Sequence, residues 1–167
     1  KLPLKDVSKP RNTGVRIMNL PLDGSDEIIN VKKIDDNQEL LNVTEKGQAI
    51  RFNADEIRPM GRASYGIKGA ELGKIDNAVE LIAIPKNGKT TILTITEKGF
   101  GKRSDLDEYR KTARGAKGVI NLKISDKTGN VMTALSVDDS DSMIVTTIKG
   151  MIIRISMKGL RVMGRAT

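Results

Sequence analysis

The chain has 167 residues, 38% hydrophobic and 30% charged, and its 29 Lys and Arg outnumber 21 Asp and Glu for a net charge of +8. That length suits one domain with a real core rather than two separate ones, and the positive balance favours a polyanionic partner over an acidic small molecule. The absence of Cys and His excludes disulfides, thiolate or imidazole metal sites, His-dependent triads and the usual neutral-pH general base.

No charged-then-apolar leader and no apolar run near membrane-spanning length is visible. The expectation is a cytoplasmic protein with no membrane partner. Aromatic residues are confined to Phe52, Tyr65, Phe100 and Tyr109. A chain so poor in stacking platforms is expected to meet nucleic acid through phosphates rather than bases.

In chain order, the first strand-like run is EIINVKKI from Glu27, followed by the polar turn DDNQ from Asp35. LNVTEKGQAIRF then reads as a hairpin turning at Lys46-Gly47, where glycine supplies the positive φ. The order recurs: VELIAIP from Val79, the turn KNGK from Lys86, and the hairpin LTITEKGFGKRS around Gly99. It recurs again with VMTALSV from Val131, DDSDS from Asp138, and VTTIKGMIIRIS around Gly150.

The turn glycines lie 52 and 51 residues apart. A multi-strand repeat near this period predicts a propeller-like array, whose blades cannot bury both faces alone. PRNTGVRIMNL near the start matches RASYGIKGAEL, and the final GLRVMGRAT matches EIRPMGRAS. The expected division is a half blade at 1–26, blades at 27–76 and 77–128, and a partial blade at 129–167, about three blade equivalents in all.

Basic residues keep phase with the turns: Lys46, Lys98 and Lys149 lie one before the glycine; Arg51, Arg103 and Arg154 four after; Arg58, Arg110 and Arg161 eleven after; Arg62, Arg114 and Arg165 fifteen after. With roughly one residue in six basic, a column of three would be all basic about once in two hundred, so four such columns point to a regular basic track. Arg16, Lys68 and Lys117 follow Gly-x in three similar loops, and Lys102 precedes Arg103. The expected DNA contacts are therefore Arg16, Arg51, Arg58, Arg62, Lys68, Lys98, Lys102, Arg103, Arg110, Arg114, Lys117, Arg154, Arg161 and Arg165.

Three catalytic-looking features fail on inspection. GFGKRS lacks the earlier glycine of a phosphate-binding loop and reads as a hairpin. DDSDS carries clustered carboxylates but occupies the phase of the DDNQ turn. Tyr109, beside Arg110, has Ile57 and Leu160 as counterparts, which predicts a half-buried packing position rather than a nucleophile.

EIRPMGRASYGIKG, TEKGFGKRS with EYRKTARGAKGV, and GLRVMGRAT resemble blades of the C-terminal domain of the DNA gyrase A protein, over the whole chain and in order. The paralogous topoisomerase IV domain is similar. This resemblance implies an all-β fold, a β-pinwheel of four-stranded blades with strands exchanged between neighbours. It implies sequence-independent binding and wrapping of double-stranded DNA in support of ATP-dependent negative supercoiling. It also implies a domain with no catalytic residue, metal or cofactor of its own, ATP and Mg being bound elsewhere. The partners implied are the gyrase A N-terminal core and the gyrase B protein in an A2B2 holoenzyme, at the nucleoid.

One departure is in the family's Gln-Arg-Arg-Gly-Gly-Lys-Gly box, whose nearest likeness here is Thr112-Ala113-Arg114-Gly115-Ala116-Lys117-Gly118. The alternatives are a topoisomerase IV domain steering decatenation or relaxation, and a protein-interaction scaffold whose basic columns serve only blade-to-blade salt bridges.

Overall fold

Among the described residues, apolar residues at alternate positions and β-branched content make nine short strands: β1 Glu39–Thr44, β2 Gln48–Asn53, β3 Ala78–Ala83, β4 Thr91–Thr96, β5 Gly101–Asp105, β6 Val119–Ile120, β7 Val131–Val137, β8 Ser142–Thr146 and β9 Ile152–Ser156. The computed structural model describes residues 1–9, 11–85 and 90–167. The three expected hairpins are β1–β2, β4–β5 and β8–β9, all antiparallel. Their turn glycines Gly47, Gly99 and Gly150 have φ of 80°, 79° and 80°.

Each hairpin is completed by elements from the next repeat. The first sheet has the order β3-β1-β2-β6 and the second β5-β4-β7. Thus β3, which precedes the second hairpin, pairs with the first, and β7 pairs with the second. On the other edge the chain after each hairpin crosses the outer strand of its predecessor. The Thr112 amide donates to the Arg51 carbonyl (2.8 Å), and the Met163 amide to that of Arg103 (2.7 Å). A further crossing joins the Met60 amide to the Lys1 carbonyl at 3.0 Å. The sheets therefore draw their strands across the contiguous ranges expected from sequence.

The expected strand from Glu27 does not enter a ladder, and the exchange explains why. By the pattern of β3 and β7, this run would pair with a hairpin one repeat earlier, and the described residues before Glu27 form no such hairpin. Its residues lean instead on β3, where Asn30 donates to the Glu80 carboxylate and Lys32 approaches it at 3.4 Å. DDNQ and DDSDS form turns, with Asn37 at a φ of 64° and the Asp138 carboxylate accepting from Ser140. KNGK, at 86–89, lies outside the described residues.

The main core lies between the first two sheets, where Leu41, Val43, Ile82 and Leu122 meet Ile92 and Val131. Each such side chain, fully buried, contributes about 1.5–3 kcal/mol. Tyr109 is fully buried here rather than half-buried. Its hydroxyl donates to Asn121 Oδ1 at 2.6 Å, and Asn121 Nδ2 donates to the Thr94 hydroxyl at 3.0 Å. That bond lets a tyrosine occupy a position whose counterparts are aliphatic. Burial pushes its phenol up to about 12, so it stays protonated and carries no nucleophile. Among the described residues no helix is long and apolar enough to cross a membrane.

Candidate nucleic-acid interface

The arginine four residues after each turn glycine points into its own hairpin. Arg51 Nε donates to Glu39 at 2.7 Å, Arg103 Nε to the Thr91 hydroxyl at 2.5 Å, and Arg154 to the Ser142 hydroxyl at 3.4 Å. In each case the partner lies twelve residues earlier on the facing strand, diagonal to the residues directly opposite, which are Leu41, Leu93 and Ile144. In the first two repeats the guanidinium is also clasped by the crossing chain. Arg51 donates to the carbonyls of Leu106 and Tyr109, and Arg103 to the Met157 carbonyl, with Asp139 of the DDSDS turn as a further acceptor for Arg103.

Arg103 is consequently 4% exposed. The structure does not offer Arg51 and Arg103 to a phosphate, because both are already neutralised within the protein. Arg154 remains exposed, no segment among the described residues crossing its hairpin.

Lys102 is likewise withdrawn. It stands where the first repeat has the buried Ile50, and its ammonium donates to the carbonyls of Gly164 (3.0 Å) and Arg165. Burial pulls its pKa down to about 8, against a smaller opposing pull from Glu108. Glu39 shows the opposite balance. Burial pushes its carboxyl up, but hydrogen bonds and charge from Lys111 (2.5 Å) and Arg51 outweigh this and hold it below the usual range.

The arginine fifteen after the glycine is a staple in two repeats. The Arg114 amide donates to Glu56 Oε2 and the Arg165 amide to Glu108 Oε2, both at 2.7 Å. Their guanidinium groups reach the carbonyls of Lys68 and Ile120, the latter at 2.6 Å. These matched bonds make Lys68 the counterpart of Ile120, so Lys117 is not its equivalent as the Gly-x-Lys spacing suggested. Lys117 lies three residues earlier in phase, on an exposed part of the same crossing.

The exposed cations lie largely along these crossings. Arg58, Arg110 and Arg161 are all exposed and make no hydrogen bond or ion pair among the described residues. Arg62, Lys68 and Lys117 are exposed beside them. Lys98 is exposed at a hairpin turn, its ammonium on the Asp126 carbonyl.

Arg16 lies beside Arg62 and Arg11 around a hollow of about 420 Å³. Arg11 and the exposed Lys111 escaped the repeat comparison because the residues in phase with them in other repeats are not basic. Among the described residues no group of acidic side chains is arranged to hold a metal.

The model of the DNA gyrase C-terminal domain, a beta-propeller, matches residues 1–35, 38–84, 90–138 and 141–167. The chain belongs to this family. It is 36% identical over its full length to the DNA gyrase A protein of Salmonella typhimurium and 38% identical to that of Chlamydia muridarum, spanning 19% and 20% of those proteins.

Two solved structures share the fold. The C-terminal domain of DNA topoisomerase IV superimposes with a TM-score of 0.89 at 26% identity, over 98% of this chain and 50% of that one. A DNA gyrase A C-terminal domain gives 0.85 at 23% identity, over 92% and 52%. The gyrase-family chain is thus all-β, with the strand-exchanged blades of a β-pinwheel.

Proposed function

We propose that this gyrase-family chain binds and bends duplex DNA without regard to sequence, as part of the wrapping domain of a gyrase A protein. The observation that carries the reading is the row of Arg58, Arg110 and Arg161. These three sit at one phase on successive crossings, exposed and unneutralised, while Arg51 and Arg103, at another phase of the same repeats, are consumed inside. A protein that needed charge only for internal pairing would have no use for this row. Each strand of a duplex presents a phosphate about every 3.4 Å, so repeated exposed cations meet it whatever the bases. Bending a 20–30 bp site by 40–90° costs about 1–6 kcal/mol, which several such contacts offset.

Gyrase is favoured over topoisomerase IV because the sequence relatives from Salmonella and Chlamydia are gyrase A proteins. Under this reading the chain is non-catalytic and needs no cofactor, and it acts at the nucleoid. Strand cleavage and ATP hydrolysis belong to the gyrase A core and gyrase B in an A2B2 assembly.

Titration of a mixed-sequence duplex at two salt concentrations tests the proposal. Binding that weakens steeply with salt, equally for unrelated sequences, is expected. Negligible binding at low salt would favour the protein scaffold instead.

A further inference from the structure

The staple closed by Arg114 and Arg165 is open in its earliest copy, at Arg62. In the later copies a glutamate of the preceding 3-10 turn holds the arginine amide, Glu56 for Arg114 and Glu108 for Arg165. The corresponding turn at the start of the chain spans Leu4–Asp6 and ends in Asp6, one methylene shorter. No hydrogen bond joins Asp6 to Arg62, and the Arg62 guanidinium has no partner among the described residues. Arg62 instead borders the hollow of about 420 Å³ shared with Arg11 and Arg16, whose lining contains no carboxylate.

The hollow has a fixed frame. The Gly14 amide donates to the Arg11 carbonyl at 2.8 Å, closing a turn that ends on a glycine with a φ of 77°. Asn19 ties this loop to the Arg62 segment, its side-chain amide donating to the Ala63 carbonyl at 2.7 Å and its backbone amide to that of Ser64 at 3.0 Å. Among the described residues, only a long 3.4 Å bond to Asn19 Oδ1 engages the Arg16 guanidinium. Three permanently charged residues thus line one concave place, and a guanidinium matches phosphate oxygens with paired N–H donors.

We infer that the Arg11–Arg16–Arg62 hollow is a phosphate oxyanion site that grips one backbone phosphate more firmly than any single position on the outer row. The assignment to DNA rests on the duplex-binding reading. The hollow's affinity for an oxyanion does not.

The 167-residue chain is titrated with inorganic pyrophosphate and, separately, with a mixed-sequence duplex, while amide NMR shifts are followed. Pyrophosphate is expected to move the Gly14, Arg16 and Ala63 amides saturably. The R16A/R62A variant should lose this response, and its duplex affinity should fall at least tenfold, with a salt slope shallower by about one to two. R110A should shallow the slope by about one and keep the pyrophosphate response.

Duplex binding untouched by R16A/R62A would overturn the hollow and leave the wrapping reading intact. A pyrophosphate response without duplex binding would overturn the wrapping reading and leave an oxyanion site. Shifts spread evenly over exposed lysines would overturn the hollow, and a matching circular dichroism spectrum for R16A/R62A confirms that a loss is not unfolding.

Discussion

Lys102 shows how one residue type takes opposite roles at positions alike in sequence. Its neighbours in phase are Ile50 and Ile153, so the position favours an apolar side chain, and the ammonium there is tolerated because the Gly164 and Arg165 carbonyls accept its hydrogen bonds. Burial holds its folded pKa at about 8 against a usual value near 10.5. Between those values the unfolded chain keeps a proton that the folded chain gives up, so this residue makes stability rise with pH across that window. Urea midpoints at pH 7.5 and 9.5 should increase for the wild type, and the increase should be reduced in Lys102→Met. Tyr109 does not confuse the comparison, because its own titration begins to matter only as pH exceeds its usual value near 10.

At the scale of elements, equivalent turns are unequal because of what crosses them. Gly47 and Gly150 have the same φ of 80°, but a Cβ on Gly47 would collide with the Leu122 carbonyl oxygen, whereas one on Gly150 would meet nothing within 4 Å. The crossing chain causes the difference, since the amides of Asn121 and Leu122 donate to the Gly47 carbonyl at 2.8 and 3.2 Å. Gly150→Ala should cost only the left-handed penalty of about 1–2 kcal/mol. Gly47→Ala should add about 1–3 kcal/mol of overpacking to it, and urea denaturation of the two variants measures the gap.

The hairpins and their period were legible in sequence, because the alternation and the turn glycines are local properties. The exchange of strands was not readable from the alternation itself and came only as an implication of the resemblance. Even the apparent register of the leading runs misleads by one residue. Glu45 and Glu97, 52 apart, bond to the carbonyls of Asn77 and Asn130, 53 apart.

At the scale of the molecule, a net charge of +8 says less than how the charges divide. The basic columns looked alike in sequence because phase reports position around a repeat, while depth depends on which distant chain lies over that position. For the column of Arg51, Arg103 and Arg154 a clue was present, in the polar Glu39, Thr91 and Ser142 twelve residues before each. For Lys102 the clue was the aliphatic residue at its phase in both other repeats. Arg103→Ala should therefore lower the unfolding midpoint and leave the salt dependence of duplex binding unchanged. Arg110→Ala should do the reverse, shallowing the salt slope by about one at unaltered stability. Equal slopes for Arg110→Ala and the wild type would remove Arg110 from the contact row.

Strand exchange also sets a timetable for the nascent polypeptide. The first hairpin is finished by residue 53, yet its sheet takes β3 at 78–83 and β6 at 119–120. As the chain leaves the ribosome, the β1 edge of that hairpin waits about half a repeat for β3, and the β2 edge waits more than a full repeat for β6. The second hairpin, finished by residue 105, waits in the same way for β7 and for the crossing at Val162, so maturation advances as a lagging wave behind synthesis, and the newest hairpin is the one most open to mispairing.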